Sequence, residues 1–125
     1  MKTSERVLAF LKQEGFFPQV EDNGNIVFKY QMKTFIYVNN DDDEDFFQLA
    51  LPAIYEVTED NREMVLEAAN QVNLGIKVVK CCALQDSVVV FFENLLDNSP
   101  EVADILPRAL NILLGAQQRF YENMN

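Results

Sequence analysis

The chain has 125 residues, the length of one domain, and is 49% apolar with ten phenylalanines, enough to fill a single core. Twenty acidic residues against ten basic ones give a formal charge of −10, which argues against binding to nucleic acid or anionic membranes, since both need positive fields. Histidine is absent, so no Ser-His or Cys-His nucleophilic pair and no imidazole-dependent zinc site can be drawn.

The N-terminus is charged and lacks a following apolar run with a cleavage site, so no signal peptide is expected and the cytoplasm is the expected location. Thr3 or Ser4 is placed to cap a first helix carrying Val7, Leu8, Phe10 and Leu11 on one side, with Gly15 as its left-handed stop. The period then changes. Residues 16–21 are short and apolar, residues 22–25 (Asp-Asn-Gly-Asn) form a strong turn signal, and residues 26–30 are β-branched and aromatic, which predicts a hairpin. A short turn at residues 31–33 leads into residues 34–39, where Phe35 and Tyr37 alternate with Ile36 and Val38.

Five consecutive carboxylates, residues 41–45, precede an apolar segment over residues 46–57. Phe47, Leu49 and Leu51 occupy one alternating set there, and Phe46, Ala50 and Ile54 the other, as in a strand covered on both faces. Pro52 lacks a donor and predicts a bulge, a strand end or an edge position. Asp60 followed by Glu63 matches a capping box, and Met64, Val65, Ala68, Ala69 and Val72 recur at helical spacing up to a stop at Gly75.

Residues 76–84 and 87–93 flank a Gln85-Asp86 turn and predict a second hairpin. Cys81 and Cys82 are adjacent on its first strand, so one thiol is expected to point inward and the other outward. Ser99 and Pro100 suit the cap and first position of a third helix, whose stripe runs through Val102, Ile105, Leu106, Ala109, Leu113, Ala116 and Phe120. Pro107 inside it is expected to kink the helix or split off its first turn. The order α-β-β-β-β-α-β-β-α predicts an α+β domain, with three helices beside an antiparallel sheet of five to six strands. The scattered glycines allow neither a phosphate loop nor a dinucleotide turn.

The aspartate-rich turn before Phe46-Phe47-Gln48-Leu49, the helix Val65-Leu66-Glu67-Ala68-Ala69-Asn70-Gln71-Val72-Asn73, the strand Lys77-Val78-Val79-Lys80 and the closing Leu106-Pro107 helix together resemble the YbjN-like family, bacterial proteins labelled sensory transduction regulators. The resemblance covers nearly the whole chain. It implies a fold similar to type III secretion chaperones, with helices packed on a curved antiparallel sheet, and proteins that commonly dimerise. It implies no secretion role and carries no catalytic motif. That fold is described with fewer strands than the pattern gives here, so residues 16–21 are expected to be short or irregular.

Asp41, Asp43 and Asp45 alternate like the first ligands of a calcium loop. Phe46 stands at the sixth position, where such loops need glycine, and Pro52 at the twelfth, where they need glutamate, so a solvated loop guarding an aggregation-prone strand is the better reading. Arg6, Arg62, Arg108 and Arg119, with Lys29, Lys33, Lys77 and Lys80, read as solvated or ion-paired side chains. The aromatics Phe28, Tyr30, Phe35 and Tyr37 read first as core, with an outward partner surface as the competing reading.

The expected function is therefore non-enzymatic and needs no cofactor: a regulatory or adaptor-like domain, homodimeric, holding a protein or peptide partner. Tyr37, Phe46, Phe47, Leu49 and Phe91 are the candidate contact residues, because strands apolar on both faces must be covered twice. The competing readings are a cation-binding regulator or metal-dependent enzyme built on Asp41, Asp43 and Asp45, and a sensory domain with a small-molecule pocket between helix and sheet.

Overall fold

The computed structural model describes residues 2–40, 42–97 and 101–125. Its elements follow in the order α1 (Thr3–Gln13), β1 (Gln19–Val20), β2 (Ile26–Tyr30), β3 (Lys33–Tyr37), β4 (Phe46–Glu56), α2 (Arg62–Gly75), β5 (Val79–Ala83), β6 (Ser87–Leu95) and α3 (Val102–Met124). This is the expected α+β order. The strands form one antiparallel sheet, arranged β1-β2-β3-β4-β6-β5. The first strand is short, as expected, and both of its residues are exposed at the sheet edge.

Helix α1 begins earlier than its sequence signals indicate. Lys2 takes the N-cap position, and its amide donates to the Glu5 carboxylate at 3.0 Å. The C-terminal end matches expectation: Gly15 is left-handed (φ 87°), its amide donates to the Lys12 carbonyl, and the Phe16 amide donates to Leu11. Those two bonds are the Schellman pattern, which satisfies carbonyls the helix itself cannot. Phe16 then packs edge-on against Phe28, with ring centroids 5.7 Å apart.

The β2–β3 turn is tighter than expected. Gln31 and Met32 alone make it, both left-handed, so β3 starts at Lys33. Such a turn matches the twist of the strands it joins but normally selects glycine or asparagine. In β4 the register slips between Leu51 and Tyr55, with Ala53 left-handed (φ 55°). Pro52 thus marks a bulge within the strand. The bulge leaves the Ile54 carbonyl free to accept from the Tyr121 hydroxyl at 2.8 Å, and Gln117 donates to that hydroxyl at 2.9 Å.

Two helix signals are corrected. For α2 the N-cap is Asn61 rather than Asp60. A reciprocal pair of bonds joins Asn61 to Thr58, and the Asn61 side chain also donates to the Glu56 carbonyl. Gly75 is the last helical residue and keeps a negative φ; the left-handed residue is Val78 (φ 56°). Ser99 and Pro100, the expected start of the third helix, lie outside the described residues, and α3 runs from an N-cap at Glu101 through Pro107 as one element. No described helix is long and apolar enough to cross a membrane.

Alternation sorts every strand into two sets. Ile26, Phe28, Phe35, Tyr37, Phe47, Leu49, Leu51, Cys81, Val88, Val90 and Phe92 join Val7, Leu11, Val65, Val72, Leu106, Leu113 and Phe120 in one buried core beneath the helices. Stacking of Phe28 on Phe35 and tilted packing of Tyr37 on Phe47 fix its aromatic centre. Each fully buried phenylalanine there contributes about 1.5–3 kcal/mol relative to exposure. All three helices lie on this side of the sheet.

Candidate protein-binding face

The second set of strand side chains faces away from the helices. Reading the register across the sheet gives one continuous row: Gln19 opposite Val27, Val27 opposite Ile36, Ile36 opposite Ala50, Ala50 opposite Phe91, and Phe91 opposite Lys80. Val89 opposite Cys82 flanks this row on one side, and Phe46 opposite Leu95 lies beyond it on the other. None of these residues belongs to the helix-side core. Ala50 and Val89 are nevertheless only 4% and 5% exposed. Leu95 is 73% exposed.

A polar strip crosses this apolar field. The Gln48 amide donates to Glu93 Oε2 at 2.6 Å, and Lys80 Nζ sits 2.9 Å from the same oxygen. The hydrogen bond to Glu93 raises the Lys80 pKa above its ordinary value. The same ammonium lies 5.3 Å from the centre of the Phe91 ring, where the ring quadrupole attracts it. An exposed ion pair of this kind adds little stability, but it fixes the orientation of both side chains.

The structure divides the candidate contact residues. Phe46 and Phe91 lie on the open face, with partly exposed side chains. Tyr37, Phe47 and Leu49 lie in the helix-covered core, so they are unavailable to a partner of the folded chain. Alternation had placed Phe46 and Phe47 on opposite faces; which face the helices would cover is set by long-range packing. Ile36 and Ala50 were missed as face residues. Cross-strand register is the signal that reveals them, and it is not written in either strand alone.

The acidic loop divides in a different way. Asp41 lies outside the described residues. The Asp43 carboxylate accepts the Asp45 amide at 3.3 Å, a local turn contact, and Asp45 is exposed. Glu44 reaches the start of α1, where its carboxylate accepts the Thr3 amide at 3.1 Å and its carbonyl accepts the Thr3 hydroxyl at 2.7 Å. Negative charge there meets the positive end of the helix dipole. Among the described residues no group of three His, Cys, Asp or Glu side chains is placed to hold a metal ion.

Of the cations, Arg62 is committed to structure, donating to the Leu84 and Gln85 carbonyls and tying α2 to the β5–β6 turn. Lys77 and Arg108 stand at a cleft of about 650 Å³ between the start of α3, the α2–β5 connection and the end of β6, on the helix side of the sheet. Cys81 is buried, and that burial, followed by the neighbouring Cys82, pushes its thiol pKa up to about 12; Cys82 lies on the open face, and both thiols are free.

A family model named YbjN, described as "Putative bacterial sensory transduction regulator", matches residues 3–122. No curated protein matches the chain. Among solved structures, the "Crystal structure of an uncharacterized protein from Methanothermobacter thermautotrophicus" is similar, with a TM-score of 0.70 and 16% sequence identity, covering 98% of this chain and 96% of that one. At that identity the likeness concerns the fold alone.

Proposed function

Because the chain belongs to the YbjN family, whose model spans residues 3–122, we propose that it is a non-catalytic, protein-binding regulator of the cytoplasm that acts as a homodimer through its open sheet face. The observation that carries this reading is the row Val27, Ile36, Ala50 and Phe91, apolar across four adjacent strands with every described helix on the other side. Val27, Ile36 and Phe91 remain partly exposed beside the buried Ala50, and contiguous apolar surface of this kind is characteristic of interaction sites.

A second copy suits the face by symmetry. A two-fold axis through its centre lays each apolar row on its mate, and Glu93 and Lys80 offer opposite charges to the facing strip. The acidic exterior, at −10, discourages further nonspecific association. Light scattering on the purified chain, over a range of concentrations, tests the assembly. The reading expects a mass twice the 14.4 kDa of one chain. A mass of one chain throughout, combined with no interacting protein in a tagged pull-down, would remove it.

A further inference from the structure

We propose that the cleft between α3 and the β5–β6 end of the sheet binds a small organic carboxylate with an apolar body. Its volume, about 650 Å³, falls within the range of small-molecule sites. Its walls are apolar where α3 and the sheet meet: Phe92 from β6, Ile105 and Ile112 two turns apart on one side of α3, and Val78 from the α2–β5 connection. Val78 is the unexpected member. A β-branched residue at φ 56° is strained, and the strain falls at the wall of the cleft while Gly75, three residues earlier, stays in ordinary helical conformation.

Charge selects the ligand class. Lys77 and Arg108 both stand at this cleft, in a chain whose acidic residues outnumber its basic ones two to one. Neither is engaged in an ion pair or hydrogen bond among the described residues. Asp104, the acidic group at the cleft, lies in the first turn of α3, where the helix dipole favours a carboxylate. The free donors are therefore cationic. A guanidinium beside an apolar wall is suited to hold a carboxylate in two parallel hydrogen bonds while the body of the ligand lies against Phe92 and Ile105.

The site is on the opposite side of β6 from the proposed dimer face, since Phe92 lines it and Phe91 faces away, so the two proposals stand or fall separately. Octanoate is the probe, titrated into ¹⁵N-labelled protein, with octylammonium as the control of opposite charge. Octanoate should shift the amides around Val78, Phe92, Ile105 and Arg108 in a saturable way, and octylammonium should not. Arg108→Gln, on an exposed side chain, should weaken octanoate about tenfold, the loss of one charge-assisted contact. Ile105→Trp should fill the cleft and abolish the shifts without lowering the melting temperature. Absence of localised shifts at millimolar octanoate, equal response to both probes, or shifts confined to the open face would each overturn the proposal.

Discussion

Asn73 closes on the backbone of Cys81 as a neighbouring strand would. Its side-chain oxygen accepts the Cys81 amide at 2.7 Å, and its side-chain nitrogen donates to the Cys81 carbonyl at 3.0 Å. Since β5 is the last strand of the sheet, these are outward-facing backbone groups that a foreign strand could otherwise pair with. A residue of α2 thus occupies the backbone groups of Cys81 at the β5 edge of the sheet.

Replacing Asn73 with alanine removes both contacts at once. The variant is expected to lose about 1–2 kcal/mol in urea unfolding, because water compensates only partly for the lost pair. It should also form larger, concentration-dependent species that the parent does not. A variant with unchanged stability and unchanged mass would show that the edge is sealed by other means.

The Tyr121 hydroxyl links α3 to the β4 bulge, and its removal leaves the Ile54 carbonyl and the Gln117 amide without their partner. Tyr121→Phe keeps the ring packing against Tyr55 and Phe120. The expected cost is about 1–3 kcal/mol, the penalty for stranding buried polar groups. Differential scanning calorimetry of the two proteins reads it directly.

Cys81 gives stability a specific dependence on alkaline pH. Its thiol holds its proton up to about 12 in the folded chain against an ordinary value of 9.0, because burial penalises the thiolate. The unfolded chain therefore releases this proton first as pH rises. The contribution is complete below pH 9 and is lost progressively toward pH 12. Melting temperatures of the parent and of Cys81→Val should diverge in slope over that window.

Gly24 is left-handed (φ 88°), and a Cβ there would collide with the Asn39 side chain. Gly24→Ala combines backbone strain with that collision, so a loss of about 1–3 kcal/mol is expected. Amide exchange should localise the damage to the β1–β2 turn and the end of β3. A uniform change across the sheet would contradict the local account.

Local rules made the element order legible. Period-2 alternation separated Phe91 from Phe92 and Cys81 from Cys82, and Pro52 announced its bulge. Signals that depend on distant partners were not readable. Glu44 meets Thr3 across 41 positions of chain, so its role at α1 is invisible to any local pattern. Glycine misled at residue 75, where the left-handed conformation falls on Val78 instead. The choice between Phe46 and Phe47 as the partner-facing residue was undecidable for a related reason. Both alternating sets of β4 are apolar, and only the packing of three helices on one side decides which remains open.

The most direct measurement is sedimentation equilibrium of the parent, Phe91→Glu and Leu66→Glu. Phe91 lies on the open face in β6, at the end of the apolar row and opposite Lys80, whereas Leu66 is an exposed residue of α2 on the helix side. The account expects a dimeric parent, a monomeric Phe91→Glu with its melting temperature retained, and a dimeric Leu66→Glu. A monomeric parent, or dissociation by Leu66→Glu with Phe91→Glu still dimeric, would contradict it.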